Sequence, residues 1–247
     1  MNRSILITGA SRGVGRATAI AFAQCGDRVA IHHRDSEQAA QKVRLELAGE
    51  GHIVVQADLA QPSAIQAMVS EAAAALGGLD VLVNNAAHIV PHPITDVSYE
   101  EWQAAWRQTM DVNLLGAANA IYWAVKHMKR GGRIVNVSSR GAFRGEPRQA
   151  AYGASKAGLN AMGQSLAVAL APLGIAVATV APGFVESDAS NAHLKAPRGP
   201  EILAQSPFNR VARADEVAAA IVWLSSPEAE WASGAILDLN GASYLRT

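Results

Sequence analysis

Tyr152 and Lys156 stand four residues apart in a stretch whose pattern predicts a helix, so their side chains share one face. A free phenol with a pKa near ~10 is a poor base at neutral pH. An ammonium beside it favours the phenolate and draws the pair toward proton transfer. Tyr-x-x-x-Lys pairs are common on solvated helices. This one gains meaning from Ser139, thirteen residues upstream at the end of a predicted strand. No grouping of His, Cys, Asp and Glu has metal-ligand spacing, so no catalytic metal is expected.

A second cluster lies near the start of the chain. The predicted strand Ser4–Thr8 runs into Thr8-Gly9-Ala10-Ser11-Arg12-Gly13-Val14-Gly15, and a helix follows. Gly9 permits a tight turn, Gly13 lets the backbone approach a phosphate, and Gly15 lets helix and strand pack closely. The helix N-terminus offers N–H groups and a partial positive charge to a pyrophosphate. Strand before, helix after and a first-strand position together mark a dinucleotide site. The second strand ends in His32-His33-Arg34-Asp35. A carboxylate at that end would accept from both ribose hydroxyls and repel a 2′-phosphate. Arg34 and Arg12 instead offer two guanidiniums, which suit a phosphate dianion. Asp35, one residue on, argues the other way. The charge pattern favours NADP(H), with NAD(H) as the alternative.

The elements that position these residues follow from the rest of the chain. Predicted strands at Ser4–Thr8, Arg28–His33, Ile53–Ala57, Val81–Asn84, Arg133–Ser138, Ile175–Val180 and Ala235–Leu239 alternate with helical segments. That order predicts an α/β fold: a doubly wound parallel sheet of about seven strands with helices on both faces, Rossmann-like. Most of the strands are short, β-branched and apolar, as buried parallel strands are. Pro62 suits a first helical position, and Ile65, Met68, Val69, Ala72, Ala73 and Leu76 form one apolar stripe before Gly77-Gly78. Asp35 with Gln38, and Ser98 with Glu101, have capping-box spacing. Gly26 follows Cys25 as a helix stop. No linker or repeat divides the 247 residues, so one domain over 1–247 is expected. The segment 184–213, with Pro197, Pro200 and Pro207, leaves the end of the sixth strand and is expected to act as a substrate lid.

Composition excludes several functions. Lys plus Arg equals Asp plus Glu, 21 against 21, so no overall field favours nucleic acid or an anionic membrane. The charge-free stretch Leu159–Val185 is long enough for a membrane span, but Pro172, Gly174, Pro182 and Gly183 interrupt it. A buried helix, a turn and a strand explain it. The run Ile5 to Ile7 is too short for a signal-peptide core, and Cys25, the only cysteine, fits a reducing cytoplasm.

The spacing Gly-x3-Gly-x-Gly, with Asp58-Leu59, Asn84-Asn85-Ala86-Ala87, Asn113, Ser139, Tyr152-x-x-x-Lys156 and Pro182-Gly183, resembles the short-chain dehydrogenase/reductase family. The resemblance runs over nearly the whole chain, in the family's order. It implies that hydride passes between a nicotinamide and a carbonyl or alcohol. Ser139 would hold the substrate oxygen, and Tyr152 would give or take its proton. Lys156 would also bind the nicotinamide ribose, and Asn113 would hold a water linking Lys156 to solvent. Cofactor contacts would come from Gly9, Ser11, Arg12, Gly13, Val14, Gly15, His33, Arg34, Asp58, Leu59, Asn85, Ala86, Ala87, Pro182, Gly183, Val185 and Ser187, besides Tyr152 and Lys156. His33 stands where the family's NAD enzymes carry an acid, and Asp58 would bond the adenine or cap the helix near Pro62. A homotetramer assembled through the helices of Asn113 and Tyr152 is the family expectation.

The chain departs from the family pattern at Ala87 for Gly, Ala178 for Asn, and Asn240-Gly241-Ala242 for Asp-Gly-Gly. Lys129-Arg130 would suit docking of an acyl carrier protein, whereas Leu173 lacks the basic residue of the family's ketoacyl reductases. His88 and His92 either line the substrate pocket or are plain loop residues. Trp102 and Trp106 are read as packing. Arg140, Arg144 and Arg148 either select an acidic substrate or form a solvated loop. The leading reading is a ketone reductase such as a 3-oxoacyl thioester reductase-like enzyme. Its alternatives are an NAD-dependent alcohol or polyol dehydrogenase and a non-catalytic NADP(H) sensor.

Overall fold

The computed structural model describes residues 2–186, 196–197 and 199–246. Among them, seven strands form one parallel sheet in the order β3-β2-β1-β4-β5-β6-β7. The strands are β1 (Ser4–Ile7), β2 (Arg28–His33), β3 (Ile53–Gln56), β4 (Val81–Asn84), β5 (Arg133–Val137), β6 (Ala176–Pro182) and β7 (Ile236–Leu239). Each lies within about two residues of its expected bounds. The strand order turns back between β1 and β4, and a doubly wound sheet opens its ligand crevice there, beyond the carboxyl ends.

Side-chain alternation divides the core in two. Ile5 and Ile7 point into one layer, against Phe22 of α1 (Gly13–Gln24) and Ile221 of α7 (Ala214–Leu224). Leu6 points into the other, with Ile65 and Leu76 of α3 (Pro62–Leu76) and Ile121 of α5 (Gly116–Val125). All three β1 side chains are fully buried, each contributing about 1.5–3 kcal/mol. After Ser4, β1 carries no polar side chain until its end, where the chemistry begins.

Local signals fix the helix ends. Pro62 starts α3, the expected stripe is buried, and Gly77 closes it in the left-handed region at φ 76°. Ser98 and Glu101 form the expected capping box at the start of α4 (Tyr99–Met110). Asp35 and Gln38 do not. Helix α2 (Glu37–Glu46) begins after Ser36 without a side-chain cap, because the Asp35 carboxylate pairs with Arg34. Between α4 and α5 the chain widens into a π-helical segment, Asp111–Leu115, which carries Asn113. Helix α6 (Ala150–Leu170) and β6 account for the charge-free stretch, with Gly174 turning at φ 71° between them. Among the described residues no helix is long and apolar enough to cross a membrane.

Candidate active site

Tyr152 and Lys156 lie one turn apart on α6, which packs over the end of β5. Lys156 is only 2% exposed, and its Nζ donates to the Val137 carbonyl at 2.7 Å. The same nitrogen sits 5.7 Å from the centre of the Tyr152 ring. Ser139 is near enough to the Tyr152 phenol to draw its pKa down, and Ser139 Oγ accepts from Gly141 N at 3.0 Å. The neighbouring hydroxyl of Ser138 is buried and donates to the Lys156 carbonyl at 3.3 Å. Of the two serines, only Ser139 meets Tyr152.

Burial lowers Lys156 to about 8. Tyr152 moves upward, chiefly through burial and secondarily through the Glu146 carboxylate, while the Ser139 hydroxyl draws it down. The expected lowering of Tyr152 by Lys156 is therefore not what the protein alone shows. The amine lies beside the ring and hydrogen-bonds to a carbonyl, and desolvation outweighs its pull on the phenol.

Asn113 is 1% exposed, and its amide joins two segments. Oδ1 accepts from His88 N at 2.6 Å, and Nδ2 donates to His88 O at 3.0 Å and Ser155 Oγ at 3.1 Å. Ser155 Oγ in turn donates to the Tyr152 carbonyl at 2.8 Å. A π-bulge often marks a functional position, and this one aims an amide at the loop after β4. Both Nδ2 hydrogens are engaged by protein.

His92 is a structural clamp rather than a pocket residue. Its Nε2 accepts from Ala151 N at 3.1 Å and its Nδ1 donates to Val90 O at 2.8 Å, which fixes the tautomer. It thereby satisfies one of the free amides in the first turn of α6, one residue before Tyr152. Its ring meets Trp102 edge-on at 5.2 Å, and Trp102 continues to Trp106 at 5.8 Å. His88 differs: its Nε2 is buried without a partner, and burial together with Arg34 depresses its pKa.

The glycine turn is tightly built. A Cβ on Gly15 would lie 2.4 Å from the Gly9 carbonyl, and one on Gly9, at φ 65°, would lie 2.9 Å from Ala86 Cα. Asn85 Nδ2 donates to the Thr8 and Gly9 carbonyls at 2.9 and 3.1 Å. Thr8 Oγ1 accepts from the backbones of Asn85 and Ala86 at 2.9 and 3.0 Å. These bonds seat the turn on the end of β4, and Ala87 follows it, exposed. Arg12, the N-cap of α1, makes no capping bond, so the first amides of α1 have no side-chain cap. Ser11, Arg12 and Gly13 edge a broad groove of about 1040 Å³. Val14 is held through its carbonyl, which accepts from Thr18 Oγ1 at 2.8 Å.

At the end of β2, His33 Nδ1 is buried without a partner. Arg34 pairs with Asp35 on the surface, an exposed pair of about 0–1 kcal/mol that a ligand displaces cheaply. Asp58 Oδ1 accepts from Ala60 N at 2.9 Å, which makes a turn; the cap of α3 is Gln61. Leu59 is buried, and its carbonyl would lie 2.7 Å from a Cβ on Gly116. Pro182 ends β6, Gly183 N donates to Leu239 O at 3.1 Å, and Val185 bridges to Ala212. Ser187 lies outside the described residues. An uncapped helix start, glycines with no room for a Cβ, and an orphaned imidazole nitrogen fit a dinucleotide along this edge.

Sequence reasoning missed His32. Its Nδ1 accepts from Gly9 N at 2.9 Å and its Nε2 donates to Ala57 O at 3.0 Å. One ring thus ties the glycine turn to the segment leading into Asp58. Burial is the main cause that lowers its pKa to about 4. The only sequence signal was a polar residue near the end of an apolar strand.

A family model described as "Enoyl-(Acyl carrier protein) reductase" matches residues 9–241. The chain is 36% identical to the 3-oxoacyl-[acyl-carrier-protein] reductase FabG of Staphylococcus aureus, across 99% of each chain. A short-chain dehydrogenase of Burkholderia cenocepacia solved with NADP superposes with a TM-score of 0.88, at 33% identity over 98% of this chain and 97% of that one. BdcA, solved with NADPH, gives 0.87 at 30% identity over 97% and 93%.

Protonating His32 must break its bond from Gly9 N. The native state therefore binds fewer protons than the unfolded chain between about pH 6.5 and 4, and stability falls as pH drops through that window. In urea unfolding, wild type is expected to lose about 2–3 kcal/mol more than His32→Asn between pH 7.5 and 4.5. Parallel losses in the two proteins would remove this assignment.

Proposed function

This chain belongs to the short-chain dehydrogenase/reductase family, and on that premise we propose that it is an NADP(H)-dependent oxidoreductase acting on a carbonyl or alcohol. The observation that carries the reading is Ser139 and Tyr152 brought together beside a buried Lys156. Bound nicotinamide supplies or receives the hydride. Ser139 holds the substrate oxygen, and Tyr152 delivers a proton to it in reduction or removes one in oxidation. Lys156 orients the phenol and binds the ribose. Asn113 keeps α6 and the loop after β4 in register and, through Oδ1, holds a water toward Lys156.

Pyrophosphate is held at the uncapped start of α1 by Ser11, Arg12, Gly13, Val14 and Gly15, with Gly9 forming the turn. Arg12 and Arg34 hold the 2′-phosphate beside His33. Asp58 and Leu59 flank the adenine, Asn85, Ala86 and Ala87 flank the adjoining ribose, and Pro182, Gly183, Val185 and Ser187 hold the carboxamide. The NADP and NADPH of the solved relatives support this cofactor. The Arg34–Asp35 pair favours NAD(H) as a second reading, since a paired Arg34 is less available to a phosphate.

The substrate class is a ketone such as a 3-oxoacyl thioester, supported by the FabG relatives. The chain acts as one domain whose segment 184–213 closes over the substrate. Its described ends lie together, with Glu186 N donating to Ala212 O at 2.7 Å and Ala212 N to Phe184 O at 3.0 Å. A homotetramer would cover the exposed Leu115, Tyr122 and Val168, which lie on or near the helices of Asn113 and Tyr152. Residence in the cytoplasm completes the reading.

Absorbance assays with NADPH and NADH against β-ketoacyl thioesters, diketones, sugars and hydrophobic ketones test it. Tyr152→Phe is expected to keep NADPH affinity and lose about 10²–10⁴-fold in kcat; near-normal turnover would exclude Tyr152 as the acid. Arg34→Ala should raise the KM for NADPH far more than that for NADH. Equal shifts for both would show that Arg34 does not read the 2′-phosphate.

A further inference from the structure

Arg140 follows Ser139 directly, yet its side chain goes elsewhere. Nη1 donates to Ser243 Oγ at 2.7 Å, and the guanidinium lies 5.1 Å from the centre of the Phe184 ring. The residue is 5% exposed. Arg133, equally buried, holds Glu230 at 2.9 Å. Arg140 has no carboxylate within ion-pairing distance among the described residues, and its Nε and Nη2 make no hydrogen bond there. Burial and the nearby Arg144 both push its pKa down, and Glu146 opposes them from beyond pairing distance. A buried charge without a counter-charge is costly.

The guanidinium lines a cavity of about 270 Å³, walled by Phe184, Val217 and Leu239. None of Ser139, Tyr152 and Lys156 lines it. Its two carboxylates are already balanced in part: Glu216 by Arg210 at 2.7 Å, and Asp238 Oδ2 by Arg246 at 2.7 Å. Asp238 Oδ1 remains buried without a partner. Among the described residues the cavity thus presents one cation without an ion-pair partner and with two free edges of its fork.

We propose that this cavity binds a small anion, a carboxylate or a phosphate. Arg140 takes the anionic oxygens on the free edges of its fork. The proposal stands apart from the cofactor reading, because the glycine turn and Arg34 take no part in it.

Calorimetry on the full chain with NADPH present tests it, using inorganic phosphate, malate and succinate as probes. Wild type is expected to take one equivalent of phosphate, of malate or of succinate. Arg140→Met should weaken binding about tenfold or more, Arg140→Lys less, and Arg34→Ala not at all. Arg140→Met should also melt no lower than wild type without anion, since it removes an unbalanced charge and keeps the volume. Preference for phosphate or for malate identifies the anion. No binding by wild type, binding indifferent to both Arg140 variants, or binding lost in Arg34→Ala instead would overturn the site.

Discussion

The amine of Lys156 is almost wholly buried, and among the described residues its hydrogen-bond partner is the Val137 carbonyl. Lowering its pKa from 10.5 to about 8 means that keeping it charged costs roughly 3 kcal/mol. That burial requires α6 to lie hard against β5, and small residues allow it. A Cβ on Gly163 would lie 3.1 Å from both Asn136 Nδ2 and Thr179 Oγ1, and one on Gly153 3.0 Å from the Gly141 carbonyl. With the helix seated so closely, Tyr152 has one place to put its hydroxyl, beside Ser139. The fold gives up stability at this point to hold an amine and a phenol together, a common trade at working sites.

Two histidines do comparable work at either side of the crevice. His92 satisfies an amide at the start of α6 and braces it on the loop after β4. His32 locks Gly9 to the end of β3, so the glycine turn is held from β2 as well as through Asn85 from β4. Both rings use one nitrogen as donor and the other as acceptor, so both work in the neutral form. Preorganisation of this kind is what a site needs if binding energy is to go into chemistry rather than into ordering loops.

Much of this was legible in the sequence because the sheet leaves little choice. Strands buried on both faces must be short and apolar, and their ends must bear the polar residues, so Ser4–Ile7 and Arg133–Val137 announce both themselves and the motifs that follow. The capping box at Ser98 and the glycine stop at Gly77 are local chemistry, readable within a few residues. Partnerships across the chain were not readable. Asp35 pairs with Arg34 instead of capping α2, Asn113 lies in a π-bulge, and His92 reaches a helix that begins 58 residues later, at Ala150. The pKa of Tyr152 follows the same logic: spacing shows that Lys156 is near, whereas burial, which decides the sign, emerges only from packing.

In this mechanism hydride passes directly between nicotinamide and substrate carbon while Tyr152 handles the proton. Reduction of a 3-oxoacyl thioester with NADPH carrying deuterium at the transferring position of the nicotinamide, followed by mass spectrometry of the product, tests it most directly. One non-exchangeable deuterium is expected on the new carbinol carbon with wild-type protein, and almost none with Tyr152→Phe. A reduced product without carbon-bound deuterium, or equal deuteration by the variant, would contradict it.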